Sequence, residues 1–295
     1  MKPDEANAFI KGQYRRLVEQ HIALFENGSI DFIGINISEM NTWQFKVYLK
    51  PSACLDDRHP WIDGIREAGM LRTLTRIERP GISDVQYDIG LSHRTDEHML
   101  GLLEKLGKLD FIGVGEIRET EALASMKVCD DPTMRLSALY FLGLQEDEQG
   151  IKQAKLHFLT RICEDPDRIG DHPRYNDDYY LDYLRDQQLR GFQEISVPAR
   201  ALLERINGHL WMFGVDYARN GQRKRKIYVK SKATDLMDKA AAVLTGETPG
   251  MRPLQDHVTE TARFLRETPT LRNVGCAFCV DEEQRWTVNY YGKPC

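Results

Sequence analysis

Alternation of apolar and polar residues in steps of two recurs five times along this 295-residue chain. Ile33-Gly34-Ile35-Asn36, Ile89-Gly90-Leu91-Ser92, Leu142-Gly143-Leu144-Gln145, Phe213-Gly214-Val215-Asp216 and Phe278-Cys279-Val280-Asp281 read as copies of one strand. Lys46-Val47-Tyr48 begins ten positions beyond Asn36, Lys155-Leu156-His157 ten beyond Gln145, and Lys226-Ile227-Tyr228 ten beyond Asp216. A constant offset predicts hairpins with equal loop lengths, and an internal repeat decides the architecture before local detail does.

The hairpins expected are 30–36 with 44–50, 70–77 with 85–92, 136–144 with 153–159, 210–217 with 224–230, and 274–280 with 285–291. Asn220-Gly221, a strong hairpin dipeptide, turns the fourth. Between them, three- and four-residue apolar spacing predicts helices. The first covers 4–26 through Phe9, Ile10, Tyr14, Leu17, Val18, Ile22 and Phe25, and Asn27-Gly28 stops it. Others are expected over 61–67, 96–106, 116–125, 179–188, 198–206, 234–244 and 254–265; Ser196 and Pro198 suit the start of the 198–206 helix.

The order is therefore strand, strand, helix, helix, cycled five times. Hairpin strands run antiparallel, which excludes the parallel βαβ pattern of Rossmann and TIM folds. The expected fold is α+β: a ten-stranded antiparallel barrel with a solvent-filled lumen, surrounded by helices, in one domain over 1–295.

Alternation also sorts the side chains. Phe45, Val47 and Leu49 oppose Gln44, Lys46, Tyr48 and Lys50; Ala154, Leu156 and Phe158 oppose Gln153, Lys155 and His157. Ile227 and Val229 likewise oppose Lys224, Lys226, Tyr228 and Lys230, and Val288 and Tyr290 oppose Thr287, Asn289 and Tyr291. With helices on the apolar face, lysines and tyrosines line the lumen. Clustered lysines call for water or a bound polyanion, and phosphate is an anion lysine commonly holds. Tyrosine ring faces attract a cation, each by about 0.5–2 kcal/mol. A site offering both fits the ionisation of an allylic diphosphate.

Composition bounds the alternatives. A hydrophobic fraction of 41% and a charged fraction of 29% describe a globular chain, and a net charge of -5 argues against a nucleic-acid coat. No window reaches the ~18 apolar residues of a membrane span, so a cytoplasmic location without membrane or nucleic-acid partners is expected. The six cysteines read as reduced thiols.

The fivefold cycle and the Lys-x-Tyr strands resemble the aromatic prenyltransferases of the ABBA, or prenyltransferase-barrel, superfamily. Lys224-Arg225-Lys226-Ile227-Tyr228 and Phe45-Lys46-Val47-Tyr48-Leu49-Lys50-Pro51 are similar to strands of its dimethylallyltryptophan-synthase group, and the likeness spans residues 30 to 292. In length the chain is nearer the bacterial members, including those that modify peptides. The resemblance implies prenyl transfer from dimethylallyl or geranyl diphosphate to an electron-rich ring: an indole, a phenol or an aromatic peptide side chain. It implies that Lys46, Lys155, Lys224 and Lys226 bind diphosphate and that Tyr48, His157, Tyr228 and Tyr291 shield the prenyl cation. Asp216, Asp281 or Glu39 orients the acceptor or takes its proton. The second repeat lacks a Lys-x-Tyr strand, the third has His157 in the tyrosine position, and the fifth has Asn289 in the lysine position. A non-catalytic barrel binding an anionic or aromatic ligand is the rival reading.

Other motifs have plainer explanations. Asp56-Asp57, and Asp177-Asp178 with Asp182, lack the spacing of a magnesium cluster, and the second suits a helix start. No metal or cofactor is implied, and magnesium assistance stays open. Cys276 and Cys279 stand three apart, which on a strand puts them on opposite faces, and no second cysteine pair completes a zinc site. Neither a Gly-rich phosphate loop nor a Gly-x-Ser-x-Gly elbow occurs. Arg223 through Lys226 reads as a basic run, partly solvated.

Overall fold

Four of the five repeats lie in the first strand of an antiparallel hairpin; of the second, only Ile89 is described, at the end of a hairpin's second strand. The computed structural model describes residues 3–39, 43–50, 71–79, 82–89, 103–124, 134–135, 138–147, 149–159, 162–163, 177–186, 191–244, 251–268 and 270–295. The strands are β1 Ile30–Ser38, β2 Trp43–Leu49, β3 Leu71–Arg79, β4 Ile82–Ile89, β5 Met134–Arg135, β6 Ala138–Asp147, β7 Gly150–Leu159, β8 Ile162–Cys163, β9 Gly208–Ala218, β10 Arg223–Ser231, β11 Leu271–Asp281 and β12 Trp286–Pro294. The helices are α1 Pro3–Gln20, α2 Ile22–Glu26, α3 Val114–Ala124, α4 Asp177–Asp186, α5 Phe192–Leu203, α6 Leu236–Val243 and α7 Arg252–Glu267.

Strands pair in the ring β1-β12-β11-β10-β9-β7-β6-β4-β3-β2, and β2 returns to β1. β5 and β8 form a separate two-stranded ladder absent from the sequence reading. The helix expected over 61–67 lies outside the described residues, as does most of 96–106, of which 103–106 are helical. The 4–26 stripe is two helices, broken at His21 and stopped at Gly28, whose φ of +67° suits glycine.

One expected boundary is wrong. Pro198 does not open its helix but lies inside α5, and the Ser196 hydroxyl donates to the Phe192 carbonyl instead of capping. Glu194 organises the true start, its carboxylate accepting the Gly191 N–H at 2.7 Å. The helix therefore begins six residues before the expected 198, and the bond lost at Pro198 is tolerated because α5 packs on the sheet through Phe192, Ile195, Ala199 and Leu202.

The apolar face of the sheet turns outward, toward the helices. Ile33, Ile35, Ile37, Phe45, Val47, Phe213, Val215, Ile227, Phe278 and Val288 share one buried cluster with Ile10 and Leu17 of α1 and with Val258 and Phe264 of α7. Each such side chain contributes about 1.5–3 kcal/mol by leaving water, so this shell holds the helices to the strands. Two directed contacts fix the fit: Trp43 Nε1 donates to Thr261 Oγ1 at 3.0 Å, and Tyr14 meets Phe264 edge to face at 5.5 Å. Arg223 and Arg225, on this outer face, are not solvated as the basic run suggested. Arg223 reaches Glu116 at 2.9 Å and Arg225 reaches Glu119 at 2.8 Å, tying α3 to β10. Among the described residues, no helix is long and apolar enough to cross a membrane.

Candidate active site

Because the outer face of the sheet is apolar, the alternate residues project into the barrel. In three of the leading strands the glycine lies directly across from the lysine of the next: Gly34 faces Lys46, Gly143 faces Lys155, and Gly214 faces Lys226. That is the physical reason for the repeat. A Cβ on Gly34 would sit 3.1 Å from Lys46 Cγ and 3.0 Å from Tyr48 Cε2, and one on Gly143 would sit 3.2 Å from Lys155 Cβ. Gly214 is closed from another side, by the Leu156 carbonyl at 2.9 Å and His157 Cδ2 at 3.1 Å. The glycines are slots in which long polar side chains lie across the inner wall.

The lysines converge. Lys226, Lys155 and Lys46 all bear electrostatically on His157, and Lys226 and Lys46 on Lys224. Burial lowers Lys224 from the ordinary lysine range, and its neighbouring ammoniums act in the same direction. Burial, then Lys226, pushes His157 down to about 3, so its imidazole is neutral at pH 7. Its Nε2 lies 2.9 Å from the Tyr228 hydroxyl.

Asp216 is the carboxylate inside this group. Both of its oxygens lie 2.6 Å from Lys226 Nζ, and both side chains are buried. Burial alone raises the Asp216 pKa, but the attraction of Lys226 and Lys155 outweighs it and leaves the carboxyl below its usual range. One carboxylate thus offsets part of the luminal positive charge.

Next to the lysines lies an aromatic layer. Tyr291 stands between Tyr48, 6.0 Å away, and Tyr228, 5.9 Å away, measured between ring centroids. Tyr291 faces Gly34 on one side and Gly275 on the other, so small residues on the alternate strands make room for the rings. Burial raises both Tyr228 and Tyr291 well above the ordinary phenol range, and they stay protonated. The Lys46 ammonium lies 5.9 Å from the Tyr48 ring.

The other two candidate carboxylates sit toward the hairpin turns. Asp281 accepts from the Glu283 and Arg285 backbone N–H groups and from Arg285 Nε at 2.8 Å, which engages it in the β11–β12 turn. Glu39, just past β1, accepts the Trp286 N–H through Oε1 at 3.3 Å. The register also corrects the fifth repeat: Cys279, in the glycine position, faces Thr287, so Thr287 holds the lysine position and Asn289 the next luminal one. The shorter β11–β12 turn brings the facing residue eight positions after Cys279, where the other hairpins have it twelve after the glycine.

Two features escaped the sequence reading. Asn36 donates to Asn289 at 2.6 Å, and Asn289 donates to Cys279 Sγ at 3.2 Å, a polar chain across β1, β12 and β11. Met212, Tyr228, Ala277 and Cys279 form a luminal apolar cluster, with Trp211 and Tyr291 against it. Period-two alternation carries most of this signal, since Met212 and Ala277 share parity with Gly214 and Cys279. The bulge at Tyr228/Val229 is what hides Trp211. Cys276 lies in the outer core and Cys279 in the lumen, as their spacing implied. Asp182 pairs with Arg200 at 2.6 Å, so it serves helix packing.

No protein-family model matches the chain, and no curated protein matches its sequence. Solved structures do match in fold. AnaPT from Neosartorya fischeri is 10% identical with a TM-score of 0.58, over 90% of this chain and 78% of that one. The 6-dimethylallyltryptophan synthase of Micromonospora olivasterospora, solved in complex with DMASPP and Trp, is 14% identical with a TM-score of 0.52, over 89% and 81%. The 5-dimethylallyltryptophan synthase of Streptomyces coelicolor is 11% identical with a TM-score of 0.51, over 90% and 81%. The fold is that of the ABBA aromatic prenyltransferases.

Proposed function

We propose that the protein is an aromatic prenyltransferase whose reaction takes place in the solvent-filled lumen of the ten-stranded barrel. One observation carries the reading: four lysines and a layer of three tyrosines meet on the inner wall of a fold shared with prenyltransferases. Lys46, Lys155 and Lys224 hold the diphosphate of dimethylallyl or geranyl diphosphate, with Lys226 shared between that anion and Asp216. They are in place before the C–O bond breaks, so the departing charge is met without reorganisation.

Tyr48, Tyr228 and Tyr291 present ring faces to the allyl cation, and the neutral His157 adds no charge against it. The electron-rich ring of the acceptor attacks the cation, and loss of a proton restores its aromaticity. Asp216, ion-paired and with a lowered pKa, is a weak base and serves to position Lys226. Asp281 is engaged by Arg285, which leaves Glu39 as the proposed acceptor-side carboxylate.

Incubation with labelled dimethylallyl and geranyl diphosphates, each with a panel of indoles, phenols and aromatic peptides, tests this. A product heavier by one prenyl unit is expected with at least one pair. No product with any pair, together with no diphosphate binding by calorimetry, would leave a non-catalytic barrel.

A further inference from the structure

The lumen cluster is not the only concentration of positive charge. At the end of the barrel remote from the hairpin turns, a cavity of about 880 Å³ opens between β1, the ends of β9 to β12, and α7. Five of its lining residues, Lys230, Lys232, Arg266, Arg272 and Lys293, are basic and none is acidic. The rest of the wall is largely apolar, with Phe32 and Trp211 on the barrel side.

Two of the cations are held in place. Lys230 Nζ lies 5.1 Å from the Trp211 ring centroid, and Lys293 Nζ lies 4.8 Å from that of Phe32. Asp31 neutralises part of this charge by pairing with Lys293 at 3.0 Å, and Asp238 does so by pairing with Arg266. Among the described residues, no carboxylate lies within ion-pairing distance of Lys230, Lys232 or Arg272. Burial, then Lys232 and Lys293, lowers Lys230 from the ordinary lysine range, the signature of like charges sharing a partly dry site. A concave, low-dielectric wall carrying one sign of charge concentrates the opposite ion.

This site is distinct from the lumen cluster. Lys226 and Lys230 stand four residues apart on β10, about 13 Å along an extended strand, with Tyr228 between them. One small anion cannot reach both. The volume lies within the ~300–1,000 Å³ range of small-molecule sites.

We propose that this cavity is a second anion-binding site, taking a small molecule in which a carboxylate or phosphate is attached to an aromatic or apolar body. Lys230, Lys232 and Arg272 meet the anion, and Phe32, Trp211 and Leu271 cover the body. The ligand is either the acceptor, entering from this end, or a separate effector; the chemistry recognised is the same.

Calorimetric titration of the full chain with naphthalene-2-carboxylate and with naphthalene-2-carboxamide tests it. The carboxylate should bind about tenfold or more tightly than the amide, as a charge-assisted hydrogen bond requires. Lys230→Gln/Lys232→Gln should abolish that preference while leaving the affinity for inorganic pyrophosphate unchanged. Arg272→Gln alters an exposed side chain, leaves folding intact, and should weaken carboxylate binding about two- to fivefold. Equal binding of carboxylate and amide to the native protein overturns the proposal. So does a preference that survives the Lys230/Lys232 double change but disappears in Lys155→Gln, which would place the anion in the lumen. In turnover, competition between the carboxylate and the aromatic acceptor assigns the site to the acceptor, and binding without competition assigns it to an effector.

Discussion

Lys226 Nζ lies 2.6 Å from each carboxylate oxygen of Asp216, in a wall where both side chains are almost wholly removed from water. Lys226 faces Gly214 across the β9–β10 ladder, and Asp216 lies two residues along the same inner face. The register of the ladder thus sets this lysine diagonally beside this acid. Lys155, directly across from Asp216 on β7, adds a second positive influence.

Removing one partner leaves the other charge buried alone. Lys226→Ala is expected to lower stability by about 3–5 kcal/mol, and Lys226→Ala/Asp216→Asn to recover a large part of that loss. Chemical denaturation of the single and double variants checks it. Equal losses in both would mean that the pair is not coupled.

Diphosphate affinity and turnover should separate between neighbouring positions. Lys155→Ala is expected to weaken pyrophosphate binding by about 1–3 kcal/mol. Tyr228→Ala should leave that affinity near the native value while raising the barrier to turnover by about 0.5–2 kcal/mol, and Tyr228→Phe should restore most of the rate because the ring face remains. Calorimetry and steady-state rates on the same preparations read both. An inverted pattern removes the shielding role.

His157 predicts a pH dependence of stability. Its ordinary pKa of 6.5 falls to about 3 in the fold, so between these values the unfolded chain binds a proton that the folded chain does not. Stability then rises with pH across that window and is lost as pH falls below 6.5, by about 1.4 kcal/mol per pH unit for this one group. Asp216, with its pKa lowered from 3.8, acts in the same direction only at lower pH. Glu116 and Glu267, lowered from 4.5, act in the same direction as pH nears that value, so denaturation between about pH 6.5 and 5.5 reads the histidine, and His157→Gln should flatten the slope there. A native slope unchanged by that substitution would show that the imidazole is not held neutral.

The glycine slots make a graded prediction. At Gly34 an added methyl meets the flexible ends of Lys46 and Tyr48, whereas at Gly214 it meets the Leu156 carbonyl at 2.9 Å. Side chains move more readily than a strand backbone. Gly34→Ala should cost about 1–3 kcal/mol or less, with a marked effect on activity through displaced lysine and tyrosine, and Gly214→Ala should cost more in stability. Thermal unfolding of the two variants, compared at equal buffer and pH, ranks them.

Much of this arrangement was legible in one dimension. Parity along a strand is a local rule, so the split between Ile227 and Val229 outside and Lys226 and Tyr228 inside could be read without coordinates. The fixed Gly-to-Lys offset also carried the hairpin register in three repeats, because loop length and pairing are linked. At 198–206 local rules misled: Ser196 and Pro198 look like a helix start, but packing of Phe192 and Ile195 on the sheet extends α5 past them.

What the sequence by itself determined is thus the strand–helix cycle and the face each side chain takes, since both depend on residues close along the chain. Only the tertiary structure decided that Asp216 belongs to Lys226, that Asp281 belongs to Arg285, that Thr287 fills the fifth lysine position, and that Lys230 and Lys293 share a cavity with Arg272. The first three lie within single hairpins, four to ten residues apart, and depend on turn length and on which neighbour each side chain turns toward, which parity alone leaves open. The cavity depends on ring closure and helix placement, which bring β1, α7 and the ends of β9 to β12 together from across the chain.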